Sequence, residues 1–202
     1  MADKTTIINR ALSLLGAEPI VNLTDNTPEA KIANRFYEES RKSILSECLW
    51  NFATKRVVLN AIVGTPVWSL DQVNNIFQLP SDIIRIFGIS APGAIWRIEG
   101  EQLITNVNEI GILYVWDLKD TTKFSASFVD AFSDKLAADM GFSVLNSNTE
   151  TKMLLEKYDG VSLPKAMAEN SQTGTPPQID DNLWSYSRCG FAPVNRSGIV
   201  IA

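Results

Sequence analysis

The chain has 202 residues and a net charge of −5, with 45% hydrophobic and 20% charged residues. This composition is typical of one compact domain, or of one domain with an embedded lobe, and the acidic balance disfavours a broad basic surface for nucleic acid. Histidine is absent, which removes the commonest general base and the commonest metal ligand. No run reaches the roughly 20 apolar residues that span a bilayer, so no membrane association is predicted.

Two helices are predicted at the start of the chain, which enters the first one without a secretion signal. Asp3 or Thr5 is expected to cap this helix and Gly16 to end it. Thr27-Pro28-Glu29 predicts the start of the second helix, because a cap residue, a proline and an acid occupy its first turn. This helix is expected to end near 49–52, and its predicted inner residues are Ile32, Phe36, Ile44 and Cys48, with Ala33, Tyr37, Leu45 and Leu49 beside them.

From about Thr54 to Asp117 the pattern changes to short β-rich runs that glycine and proline separate. Glu99-Gly100-Glu101 predicts a hairpin turn between two of them. A β-rich lobe is therefore expected to interrupt the helical part. The predicted runs are 57–59, 67–70, 76–79, 83–89, 95–98, 103–104 and 110–116.

After the lobe the pattern returns to helix. A third helix has large apolar residues four positions apart, and Ser125 is its predicted cap. A fourth helix is predicted from about Asn148, with Pro164 kinking or ending it. The predicted inner residues are Phe128, Phe132, Leu136, Met140 and Val144 in the third helix, and Met153, Leu154, Tyr158 and Val161 in the fourth.

Together these elements predict an α+β fold: a bundle of two N-terminal and two C-terminal helices, interrupted by a β-rich lobe and followed by an extended C-terminal arm. The predicted domains are a helical domain over 1–53 and 118–170, an inserted β-lobe over 54–117, and the arm over 171–202. The late helices are expected to pack against the early ones, because each apolar stripe needs a partner.

The predicted arm lacks helical and strand periodicity but keeps large apolar side chains among its prolines and glycines. A flexible linker has little use for such side chains, so we expect the arm to become ordered against a partner. Tryptophan and arginine are the residue types that often dominate an interface. The predicted partner-binding residues are Leu183, Trp184, Tyr186, Arg188, Phe191, Val194, Ile199 and Ile201.

Carboxylates are the acid–base groups that remain, but their spacing does not predict a catalytic pair. Glu38-Glu39 and Asp180-Asp181 are neighbours in sequence, and adjacent residues on a helix do not face each other. Asp134 and Asp139 are predicted to be surface charges on a helix. A carboxylate hydrolase would need two acids that face a cleft about 5 to 10 Å apart. We therefore predict no enzymatic activity, no cofactor and no metal site.

Segments along nearly the whole chain resemble, in their order and spacing, the tail tubular protein A family of short-tailed phages. These proteins are head-to-tail adaptors that sit beneath the portal. The last of the similar segments precedes Cys189 to Ala202, which extends beyond the family pattern. The segments are 11–20 (ALSLLGAEPI), Ala30 with Tyr37, 49–53 (LWNFA), 79–82 (LPSD), 96–100 (WRIEG), 103–105 (LIT), 124–138 and 183–188 (LWSYSR).

The resemblance implies a structural virion protein of the tail or neck, assembled in the host cytoplasm as a ring of twelve copies. The ring would join the portal protein to the tail nozzle or tube, and genomic DNA would pass through it without specific binding. A closed ring needs two different patches on each subunit. The helical domain is then expected to form the ring wall, the β-lobe to project toward the next tail component, and the arm to contact the portal.

Five aromatic residues outside the arm leave alternatives open. Trp50 and Phe52 are predicted to pack where the helices meet the β-lobe, and thereby to fix its angle. Trp68, Trp96 and Trp116 could instead form an aromatic surface for saccharides, which gives a tail-associated glycan-binding module as the alternative function. Alternation along strands favours the core for these three tryptophans.

Overall fold

A computed structural model describes residues 3–62, 64 and 74–173, and its fold is α+β, as the sequence predicts. Two N-terminal helices precede two small antiparallel sheets, and the chain then returns to helix. The helices are α1 (Lys4–Leu14), α2 (Pro28–Glu47), α3 (Ala126–Leu145), α4 (Asn148–Lys157) and α5 (Leu163–Gln172). The strands are β1 (Thr54–Val58), β2 (Ala61–Ile62), β3 (Asn75–Gln78), β4 (Ile83–Ile89), β5 (Trp96–Glu99), β6 (Gln102–Thr105) and β7 (Gly111–Trp116).

The predicted start signals of three helices are confirmed by their side-chain caps. The Asp3 carboxylate accepts a hydrogen bond from the Lys4 amide at 2.7 Å, at the start of α1. Thr27 accepts from the Ala30 amide at 3.3 Å, and Ser125 accepts from the Phe128 amide at 3.3 Å. Each side chain satisfies one of the amides that a helix leaves unpaired in its first turn.

The strands form two sheets. Sheet A has the order β1-β7-β4 and sheet B the order β2-β3-β6-β5, and every pairing is antiparallel. Gly100 connects β5 to β6 with φ +60°, a left-handed conformation that favours glycine, which confirms the predicted hairpin turn. The predicted run 67–70 lies outside the described residues.

Sheet A lies between the helices and sheet B. On one side, Val115 of β7 belongs to the helical core, and Ile84 and Phe87 of β4 pack against that core. On the other side, Ile112 and Tyr114 share a second core with residues of sheet B such as Leu103 and Phe77. The result is three layers in one compact unit, which ends at Asn170.

Strand β4 serves both cores although its apolar residues do not alternate. Its register shifts twice against β7, between Ile83 and Arg85 and between Ile86 and Gly88. Each bulge inserts one extra residue into β4. As a result, every third side chain of this strand points toward the second core. For this reason Ile83, Ile86 and Ile89 all pack against the second core.

Three details of the helices differ from the prediction. In α2, Ile32 and Phe36 are only half-buried, because the helix turns Ala33 and Tyr37 fully inward. Helix α2 also ends at Glu47, before the predicted 49–52, and a short 3₁₀ turn follows at Asn51–Ala53. In α4 and beyond it, Met153 and Val161 are largely exposed and do not line the inner face, whereas Tyr158 is buried.

Pro164 does not end the helix, because helical structure continues from α4 through a π turn into α5. The π turn, at Tyr158–Ser162, precedes Pro164, and the Leu163 amide donates to the Tyr158 carbonyl five residues back. Proline lacks the amide hydrogen that an α-helix needs, and its ring clashes with the carbonyl four residues earlier. The wider π turn moves that carbonyl away, so the helix continues to Gln172. Among the described residues, none of the helices combines the length and apolar character that a bilayer crossing requires.

Helices α3 and α4 lie close together at Gly141. A Cβ atom at this position would lie 2.9 Å from Thr151 Oγ1. That hydroxyl is held in place, because it donates to the Ser147 carbonyl at 2.7 Å. A side chain at position 141 therefore requires the two helices to move apart.

We predict that Gly141→Ala lowers the free energy of unfolding by about 1–3 kcal/mol through overpacking, measured by urea denaturation. Gly160→Ala is the matched control, because nothing lies within 4 Å of its added Cβ atom, and it should be neutral or stabilising by up to about 1 kcal/mol. Adding Thr151→Ala to Gly141→Ala should recover part of the loss. Equal stabilities of the two glycine variants would contradict the close approach.

Candidate interaction surface

A buried arginine joins the helices to the end of the β-lobe. Arg41 of α2 is fully buried and donates to the Leu118 carbonyl at 2.8 Å and to Asp117 Oδ1 at 2.6 Å. It also donates to Glu38 Oε2 at 2.8 Å. Burial alone would raise the pKa of Glu38, but the hydrogen bond and charge of Arg41, with Lys4 nearby, bring this pKa below its ordinary value. The guanidinium thus pairs with every acceptor it faces in the protein interior.

An aromatic cluster lies where the helices meet the β-lobe. It contains Trp50 and Phe52, the two residues that were predicted to pack there. Trp50 is fully buried, and its indole Nε1 donates to the Ile44 carbonyl at 2.9 Å. The Phe128 ring meets Trp50 edge-on, with the ring centroids 4.9 Å apart. Phe52 is half-buried and lies 4.9 Å from Phe128 and 5.7 Å from Phe124, measured between ring centroids. The connection from α2 to β1 is therefore held by ring packing on α3.

Asn170, the last residue of the compact unit, is bound to the same connection. Its side-chain oxygen accepts from the Asn51 amide at 2.9 Å, and its Nδ2 donates to the Leu49 carbonyl at 2.8 Å. The Asn51 side chain in turn donates to the Asn170 carbonyl at 2.8 Å. Helix α5 is thereby fixed to the segment where the chain leaves α2 for the β-lobe.

A second polar cluster lies within sheet A. Asp82, just before β4, accepts from Lys55 Nζ at 2.7 Å and from the Tyr114 hydroxyl at 3.2 Å. Burial would raise the pKa of Asp82, but Lys55 and Tyr114 outweigh it and lower this pKa. Burial and the nearby Asp82 charge raise the pKa of Tyr114 to about 12. The cluster crosses all three strands of the sheet.

Sheet A leaves an open groove of about 410 Å³ at the end where β7 begins. Gly88 and Gly111 supply no side chains there, so the floor of the groove is formed largely by backbone. Val58, which also lines the groove, is 60% exposed. Arg56 also lines the groove, and its guanidinium has no hydrogen-bond or ion-pair partner among the described residues. The groove therefore offers apolar walls and one free cation.

Strand β5, at the edge of sheet B, carries a second exposed apolar surface. Trp96 is 40% exposed and Ile98 is 45% exposed, and the two side chains lie on the same face of the strand. The adjacent strand on that face contributes Leu103, which is fully buried in the second core. The apolar face of sheet B thus continues past its core onto β5, whose Trp96 and Ile98 are exposed among the described residues.

The carboxylates that the sequence singles out either have partners in the fold or lie outside the described residues. The described part of the chain contains no group of three His, Cys, Asp or Glu residues that could hold a metal ion. Glu38 is bound to Arg41, and Asp180-Asp181 lies outside the described residues. Asp134 is not the predicted surface charge, because it is buried and accepts from Lys157 Nζ at 2.8 Å and from the Ser162 hydroxyl. The π turn brings Ser162 over α3 and so encloses this carboxylate.

The predicted partner-binding residues of the arm all lie outside the described residues; they are Leu183, Trp184, Tyr186, Arg188, Phe191, Val194, Ile199 and Ile201. Of the three tryptophans in the glycan hypothesis, Trp68 also lies outside them. Trp116 is half-buried against both cores, with Lys55 Nζ 3.7 Å from its ring centroid, and Trp96 is exposed on β5. Trp96 and Trp116 therefore do not form a shared aromatic strip.

Neither the burial of Arg41 nor the groove was predicted from the sequence. A signal for Arg41 was present, because it stands four residues after Tyr37 and four before Leu45, within an otherwise apolar stripe. The groove had no comparable signal, since it depends on strand pairing that brings Gly88 of β4 and Gly111 of β7, which are distant in sequence, into the lining of one groove. No protein-family model matches the chain, and no curated protein matches it significantly.

We predict that Arg41→Met lowers the free energy of unfolding by about 3–5 kcal/mol, because it leaves Asp117 and the buried Leu118 carbonyl without their partner. Arg35→Met, on the exposed face of the same helix, is the control and should change stability by less than about 0.5 kcal/mol. Urea denaturation measures both. Similar losses in the two variants would contradict the role of Arg41.

We predict that Asp82 contributes to the free energy of unfolding and that this contribution is lost at acid pH. Its pKa is lower in the folded than in the unfolded chain, so its stabilisation is present above the ordinary aspartate pKa and is lost as the pH falls through the lowered value. Asp82→Asn should therefore lose stability at neutral pH and show a flatter decline into acid. Urea titrations from about pH 7 to about pH 3 test this, with the exposed Glu109→Gln as control. Parallel pH profiles for wild type and Asp82→Asn would contradict it.

Proposed function

We propose that the protein is a head-to-tail adaptor that forms a ring between a portal and the tail nozzle or tube of a short-tailed phage. One observation carries the proposal: large apolar side chains stay exposed on two separate parts of the fold. In or directly beside the strands these include Val57, Val58, Ile95, Trp96 and Ile98, and in the helices and the π turn they include Phe142, Met153, Leu155 and Val161. Exposed apolar surface of this kind is typical of proteins that bind other proteins.

The charge and chemistry of the chain support the same function. A closed ring needs two different patches on each subunit, and the sheets and helices supply distinct exposed patches. The net charge of −5 suits a channel through which DNA passes without binding. A chain without histidine acts more readily through shape than through acid–base chemistry. In this proposal the ring holds twelve copies and the arm contacts the portal.

We predict that removing residues 171–202 abolishes binding to portal particles. The compact unit ends at Asn170, so the shortened chain should keep its helical circular dichroism spectrum and its cooperative unfolding. Co-sedimentation with portal particles measures binding, and electron microscopy of the full chain, alone and with portal, shows whether rings form. Undiminished portal binding by the shortened chain would overturn the role of the arm.

We predict that Trp184→Ala in the full chain weakens portal binding by about 2 kcal/mol or more, the scale of an interface hot spot. Val21→Ala is the matched control, because it removes an exposed apolar side chain from the segment between α1 and α2, outside the arm. Binding isotherms with immobilised portal compare the two. Unchanged affinity for Trp184→Ala would exclude this tryptophan from the portal contact.

A further inference from the structure

Both sheets end in strands that lack a second neighbour among the described residues. Strand β1 pairs with β7 alone, and β5 pairs with β6 alone. We propose that β1 of one copy pairs with β5 of a second copy, so that identical subunits join head to tail through two different edges. This inference rests on the proposed ring and assigns one of its subunit contacts.

The backbone of β1 presents hydrogen-bonding groups to the open side. The Leu59 amide donates to the Ile110 carbonyl at 2.9 Å, which fixes the alternation of bonded pairs between β1 and β7. In an antiparallel ladder every second residue turns its amide and carbonyl away from the partner. By this alternation, the amides and carbonyls of Arg56 and Val58 point to the open edge.

Strand β5 presents a matching set. The Asn106 amide donates to the Ile95 carbonyl at 3.3 Å, which fixes the alternation between β5 and β6. The backbone groups of Trp96 and Ile98 therefore point to the open edge of sheet B. These two residues also carry the exposed apolar side chains of that edge. An unpaired edge with apolar side chains is a template for strand addition.

One antiparallel register satisfies both edges and matches their side chains. It places Val58 opposite Trp96 and Arg56 opposite Ile98, so each outward-pointing residue faces another. The Trp96 side chain then lies beside the groove of about 410 Å³ that Val58, Gly88 and Gly111 line. The free Arg56 guanidinium is a diagonal neighbour of that indole, within reach of a cation–π contact.

Charge complementarity favours β1 against β5 over pairing of two β1 edges. In the same register Lys55 lies opposite Glu99, and Glu101 follows in the adjoining turn. Two β1 edges would bring Lys55 and Arg56 of both copies together, which is unfavourable for like charges on paired strands. Because the two edges differ, the contact is heterologous and each copy can bind two others.

Each edge can be blocked without breaking its own sheet. Val58→Pro removes an amide that points outward, so pairing of β1 with β7 is retained, and Ile98→Pro does the same for β5. Proline is tolerated on edge strands for this reason. Val58→Lys and Ile98→Lys form a second pair of variants, which block the edges by charge if a proline variant does not fold. Val21→Lys, in the exposed segment between α1 and α2, is the control.

The test measures the oligomeric state of the full chain by analytical ultracentrifugation and native mass spectrometry, with one variant isotope-labelled. Each blocked variant alone should self-associate at least tenfold more weakly than wild type, whereas Val21→Lys should match wild type. An equal mixture of Val58→Pro and Ile98→Pro should form dimers that contain one copy of each, because one intact β1 edge then meets one intact β5 edge.

Rings that persist in Val58→Pro, Ile98→Pro and their lysine counterparts would overturn the strand junction but leave the proposed function in place. A mixture that stays monomeric while wild type forms rings would overturn the junction as well. A wild-type chain that remains monomeric at every concentration, with and without portal particles, would overturn both the ring and the junction.

Discussion

The burial of a single guanidinium organises this fold. Arg41 lies inside the protein, where an unpaired charge would cost several kcal/mol, so α2 and the segment after β7 must bring Asp117, Glu38 and the Leu118 carbonyl to it together. These acceptors come from both sides of the β-rich part of the chain. The pairing therefore sets where the strands return to the helices, and the ring packing of Trp50 and Phe52 on α3 fixes the other crossing.

Sheet A follows from this arrangement, because it must face two cores at once. Its strands reach that state by different means: β7 alternates regularly, while β4 uses two bulges to present Ile83, Ile86 and Ile89 on one side. A sheet with both faces needed for packing has little surface left for partners. Among the described residues, the surface that remains includes the edge of β1 and the groove beside it, and the proposed subunit contact uses both.

The sequence predicted the order of the elements well, because caps and periodicity are local signals. Thr27-Pro28 and Ser125 correctly predicted the starts of α2 and α3, and Gly100 predicted the hairpin turn between β5 and β6. It failed where the outcome depends on distant parts of the chain. The sequence predicts Asp134 as a surface charge, but the π turn places Ser162 above it. The sequence also predicts Pro164 as a helix end, but the same π turn relieves the clash of the proline ring with the preceding turn. The groove and the free edges arise from strand pairing, which single-residue patterns do not encode.

The hydrogen bonds of Asn170 have a mechanical consequence. They fasten the end of α5 to Asn51 and Leu49, beside the point where the chain leaves the helices for the strands. Any tension on the polypeptide that follows is therefore borne first by this clamp and passes into the connection between α2 and β1. A load that passes Asn170 from the carboxyl-terminal side would therefore be transmitted to the start of the strand layers as well as to α5.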